Sequence, residues 1–172
     1  MSCEDRDAPG EDDDGRDLPD PRTVHIRGVS EHGNFRIDIP CLSEIVPGLW
    51  LGGVRPGLLL PPEIVHLVSL YPWSRYIIRH ELASEMYVAM ADSTDQPMGM
   101  IPWLASWVSR CRQDGPVAVH CSAGLNRSAL VSALALMSGG MSAAEAIALI
   151  RDRRDKACLC NPAFEAWLRE QQ

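Results

Sequence analysis

Basic charge is scarce in this 172-residue sequence: 16 Lys and Arg stand against 23 Asp and Glu, for a net charge of −7. No stretch gathers basic residues into the footprint that nucleic acid binding needs, so a nucleic acid partner is not expected. No uninterrupted apolar run reaches the length that crosses a membrane, and no charged-then-apolar leader opens the chain. A membrane partner is therefore not expected and a cytoplasmic protein is. The six cysteines include no CxxC pair, which argues against structural zinc, and a chain of this size does not need a disulfide framework. His25, His32, His66 and His80 show no ligand spacing such as HExxH, so neither a metal nor another cofactor is implied.

What charge there is lies unevenly. Residues 1–22 hold nine Asp and Glu against three Arg, six of the seven net negative charges, with almost nothing apolar to bury. They read as a disordered acidic tail, either a solubilising extension or a regulatory one. The remaining 23–172 are nearly neutral and long enough for a single domain with a fair-sized core.

The chemistry-bearing stretch is VAVHCSAGLNRSALV, Val117 to Val131. A short apolar run ending at His120 fits a buried strand, Ser122 to Asn126 are mostly small or turn-forming, and a helical composition follows from Arg127. A tight loop between a strand and a helix N-terminus aims successive backbone N–H groups into one concavity, which suits an anion. Gly124 lets that backbone curl, and Arg127 brings a planar fork for two phosphate oxygens. Cys121 at the mouth of such a loop is placed to become a thiolate and to attack phosphorus, and Ser128 to hydrogen-bond the departing sulfur.

His120-Cys121-Ser122-Ala123-Gly124-Leu125-Asn126-Arg127-Ser128 resembles the HCxxGxxR(S/T) signature of the cysteine-dependent protein tyrosine phosphatases, and the short chain resembles their dual-specificity branch. SEIVPGLWLGG (Ser43 to Gly53) is similar to the family's opening strand, Ile64 to Leu70 to its next core strand, and RDRRDKACLCNPAFEAWL to its closing helices. The resemblance covers roughly Pro40 to Leu168 and implies a protein tyrosine phosphatase-like α/β fold, a central mostly parallel sheet flanked by helices. It further implies Cys121 as nucleophile, Ser122 to Asn126 with Arg127 as the phosphate cradle, Ser128 assisting turnover, and His120 as a supporting residue that helps set the charge state of the cysteine.

The family also needs an Asp after a strand, about thirty residues before the cysteine. Tyr87 to Met90 reads as that strand and Asp92 follows it; Asp95 is the alternative, or a cap for the helix that opens near Pro102. Other features carry structural readings. Trp103 and Trp107, four apart, fit one buried helix face. Ser142 with Glu145 forms a capping box and Asn161 with Pro162 an N-cap and N1 pair. Arg151, Arg153 and Arg154 either close a helix C-terminus or widen the phosphate-binding surface, and Cys111, Cys158 or Cys160 are candidate partners for an oxidised Cys121.

The function expected is metal-independent hydrolysis of phosphate monoesters on phosphorylated proteins. The alternatives are an RNA 5′-phosphatase or triphosphatase, disfavoured by the lack of basic excess, and a phospho-binding module without turnover. A phosphoinositide substrate fits less well, because the loop contains no lysine.

Overall fold

The computed structural model describes residues 17–171. A two-stranded antiparallel hairpin, β1 (His25–Val29) and β2 (Arg36–Pro40), leads into β3 (Leu42–Val46) and β4 (Leu49–Gly52). Then come β5 (His66–Ser69), β6 (Ser84–Tyr87), α1 (Ile101–Asp114), β7 (Val117–His120), α2 (Arg127–Ser138), α3 (Ala143–Arg153) and α4 (Pro162–Glu170). The five-stranded sheet has the order β3-β4-β7-β5-β6 and is parallel except for the β3–β4 pair. This is the mostly parallel, helix-flanked architecture that the sequence leads one to expect.

Strand β7 lies in the middle and every one of its four residues is buried, as the apolar run requires of a strand covered on both faces. Helix α2 is buried at nine of its twelve positions, the pattern of a helix enclosed by others rather than laid on a surface, and it touches α1, α3 and α4. The end of β7 and the start of α2 are thus held by the densest part of the molecule. Helix α3 starts at the expected capping box of Ser142 and Glu145, and α4 at the expected cap, with Asn161 accepting from the Ala163 amide.

Three expectations need correction. The strand expected over Tyr87 to Met90 lies three residues earlier, at Ser84–Tyr87. Only those residues are in full register with β5, which ends at Ser69; beyond it Val88 N to Ser69 O and Met90 N to Leu70 O are isolated bonds. Trp103 is 51% exposed and Trp107 partly so, because the inward face of α1 is formed by Ile101, Leu104, Ala105, Val108 and Cys111 instead. The tail assigned to 1–22 falls outside the described residues up to position 16, but its last residues are packed on the domain. Pro19 O accepts from Leu59 N, Pro21 O from Leu42 N, and Arg22 reaches Glu63 at 2.6 Å. The domain therefore begins before Thr23.

Candidate active site

Cys121 follows β7 directly, and the loop from it to Arg127 wraps the start of α2. Gly124 sits at φ +71°, and a side chain there would collide with the Gly52 carbonyl group and the Arg154 guanidinium. A residue with a Cβ fits neither the backbone angle nor the space. The Cys121 sulfur accepts from the Gly124 amide at 3.3 Å and lies 3.3 Å from the Ser128 hydroxyl. Arg127 is buried, its Nη1 donating to Met90 O at 3.1 Å and its guanidinium 5.3 Å from the Tyr71 ring. Its Nε is buried with no protein acceptor, an unspent donor of the kind that an anion satisfies.

The two candidate acids separate. Asp92 lines the same cavity as Cys121, Ser122, Ala123, Leu125, Asn126 and Arg127, a space of about 140 Å³. One Asp92 oxygen accepts from Asn126 Nδ2 at 2.9 Å, the other from Asn161 Nδ2 at 3.0 Å. Asp95 is exposed outside the cavity. Neither caps α1, whose N-cap is Met100 without a side-chain bond. Gln96 fixes the loop between them by accepting from the Ala91 amide and donating to Pro97 O.

His120 is buried edge-on against Tyr76, with its Nδ1 3.3 Å from Cys121 O. A carbonyl can only accept, so Nδ1 carries the hydrogen. Burial pushes the ring's pKa down to about 4, so it is neutral near pH 7 and supports the loop by geometry, bringing no positive charge to the thiol.

Sequence reasoning missed three contributors. Arg154 closes the C-terminus of α3 as expected, its backbone amide donating to Ile150 O at 3.0 Å, but its side chain has a second task. Its guanidinium runs beneath the loop, donating to Gly124 O at 2.6 Å, Ala123 O at 3.0 Å, Pro40 O at 3.2 Å and Ser43 Oγ at 2.9 Å. Asn161 was assigned only a cap, yet it also holds Asp92, and its amide donates to Asn126 Oδ1 at 3.0 Å. His32, in the turn of the β1–β2 hairpin, brings Nε2 to 3.1 Å from Asp92 O and 3.2 Å from its carboxylate. All three are distant from their partners in the chain, so no local pattern marks them.

The five described cysteines are free thiols. Cys111, on α1, packs toward Ser84 of β6, and burial pushes the Cys158 thiol up to about 12, whereas half-buried Cys160 lies 3.5 Å from Asn126 Oδ1. Among the described residues no group of three His, Cys, Asp or Glu side chains is arranged to hold a metal ion. No helix there is long and apolar enough to cross a membrane. A second cavity, of about 320 Å³, lies near the start of β4 between Arg112 and Gly139, and no Cys, His or carboxylate lines it.

The family model described as "Dual specificity phosphatase, catalytic domain" matches residues 63–172. No curated protein matches the chain. Among solved structures, the chain resembles a mouse dual specificity phosphatase (described as putative) complexed with zinc tungstate, at 23% identity over 76% of this chain and 86% of that one, with a TM-score of 0.63. Human DUSP28 resembles it at 23% identity, covering 76% and 92%, with a TM-score of 0.63. OH1 from the Orf virus, described as a tyrosine phosphatase with triple substrate specificity, does so at 20% identity, covering 74% and 83%, with a TM-score of 0.57. At such identities the likeness speaks for the fold.

Proposed function

The chain belongs to the dual specificity phosphatase family, and from that premise we propose that it hydrolyses phosphate monoesters on protein side chains through a cysteinyl-phosphate. The observation that carries this reading is the convergence of Cys121, Arg127 and Asp92 on one cavity.

In the first step the Cys121 sulfur attacks phosphorus as the bond to the ester oxygen breaks, and Asp92 gives its proton to that oxygen, so the phenol or alcohol leaves neutral. Arg127 and the backbone N–H groups of Ser122 to Asn126 hold the three equatorial oxygens, on which negative charge is spread. In the second step Asp92, now a carboxylate, takes a proton from water as the water attacks phosphorus. The sulfur departs with Ser128 Oγ, 3.3 Å away, as its hydrogen-bond donor. His120 and Arg154 act on the loop, not on the phosphate. The reaction needs no metal to neutralise charge, because a guanidinium and a ring of amides do so.

The test is hydrolysis of para-nitrophenyl phosphate in EDTA. Turnover by the native chain that disappears in Cys121→Ser, and turnover of the unactivated ester phenyl phosphate that falls by about 10²-fold or more in Asp92→Ala, are the expected results. A folded chain that binds vanadate but turns over neither these esters nor a phosphotyrosine peptide would instead be a binding module.

A further inference from the structure

The β1–β2 hairpin lies outside the family match at 63–172, yet its Val29, Ser30, Glu31 and Ile37 complete the wall of the catalytic cavity. Its turn is built to present one side chain. The Ser30 hydroxyl donates to His32 O at 2.6 Å and accepts from the Phe35 amide at 2.9 Å, while Ser30 N donates to Phe35 O. Gly33 and Asn34 take left-handed backbone angles, φ +73° and +50°, which residues of these two types adopt at least cost. Ile26, Ile37 and Ile39 anchor the strands in the core. The imidazole of His32 is thereby held against Asp92, with about a fifth of its surface open to solvent.

We propose that His32 is a positioning residue for Asp92, and that the hairpin is a working part of the active site. The inference rests on the reading of Asp92 as the proton donor. The acceptor at 3.1 Å is the Asp92 carbonyl oxygen, which cannot donate, so Nε2 carries the hydrogen and spans the backbone and the carboxylate of one residue. That fixes both where the Asp92 main chain stands and how its carboxyl group is turned. Asn126 and Asn161 hold the same two carboxyl oxygens from the loop and from the start of α4. His32 adds a third direction, and it alone of the three grips the Asp92 backbone. A general acid works only within hydrogen-bond reach of the oxygen it protonates, so a carboxyl group free to turn loses rate without losing substrate binding.

The consequence is specific to the leaving group. A nitrophenolate departs readily without a proton, whereas an unsubstituted phenolate depends on one. The experiment compares kcat/KM for para-nitrophenyl phosphate and phenyl phosphate in the native chain, His32→Ala, His32→Gln and Asp92→Asn, with thermal midpoints to verify folding. His32→Ala should lose about tenfold on phenyl phosphate and no more than about twofold on the nitrophenyl ester, a fraction of the full general-acid contribution. His32→Gln, whose amide can donate from a similar reach, should recover most of the loss, and Asp92→Asn should show the same discrimination more strongly. Equal losses on both esters, or no loss on either, would overturn the proposal and leave His32 as part of the wall. If Asp92→Asn itself fails to discriminate, the reading of Asp92 falls first and this inference with it.

Discussion

Arg154 is buried with its guanidinium on four oxygens, none of them a carboxylate. Burial lowers its pKa, but the fork satisfies two loop carbonyls and ties them to the start of the sheet. Arg154→Met would leave those acceptors unpaired, and we expect a loss of about 3 kcal/mol in urea denaturation together with a marked loss of turnover. Arg154→Lys should recover little, since a single ammonium cannot span the four acceptors. His120 sets a pH dependence. Its folded pKa of about 4 lies below the unfolded value near 6.5, so the unfolded chain binds more protons between those limits. The contribution is present above pH 6.5 and lost as pH falls toward 4, amounting to roughly 3 kcal/mol at most. Denaturation midpoints measured across that window should fall, and the fall should be shallower in His120→Gln. At this scale the Cys121-to-Arg127 loop was legible because seven consecutive residues carry it. His32 and Arg154 were not, because their partners lie 60 and about 30 residues away and only the fold brings them together.

Among the elements, the ends are where local chemistry is clearest and the middle of the chain is where packing decides. The capping box of α3 was readable because Ser142 and Glu145 satisfy each other within one turn. Ser142→Ala should cost about 1 kcal/mol and lower the thermal midpoint by a few degrees, with turnover at 25 °C unchanged. The position of β6 was not readable. A four-residue edge strand has a partner on one side only, and its extent is set by where β5 stops, not by its own composition. The Trp103–Trp107 spacing misled for a related reason. Helical spacing shows that two side chains share a face, but not which face turns inward, and Leu104, Ala105 and Val108 take that place.

Across the whole molecule, the acidic segment meets the domain through Pro19, Pro21 and Arg22. A chain shortened to begin at Asp17 should keep the thermal midpoint of the full chain. One shortened to begin at Thr23 should lose several degrees, because it removes the backbone acceptors of Leu42 and Leu59 and the partner of Glu63; equal midpoints for the two would show that this packing contributes nothing. The overall architecture was legible through the family resemblance of the Cys121 loop and its flanking segments, and the burial of β7 throughout and of α2 at nine of twelve positions agrees with it. The hairpin was not, since its alternation of buried isoleucines with exposed charged and polar residues is shared by many surface strands.

The segment bearing Asp92 is fastened at several points: Asn126 and Asn161 hold its carboxylate, and Arg127 holds Met90 O. An inhibitor designed to wedge that segment open must first break these bonds, so it starts at a disadvantage. Medicinal chemistry against this chain is left with a small cavity of about 140 Å³, and with the adjoining hairpin face as the place to gain selectivity.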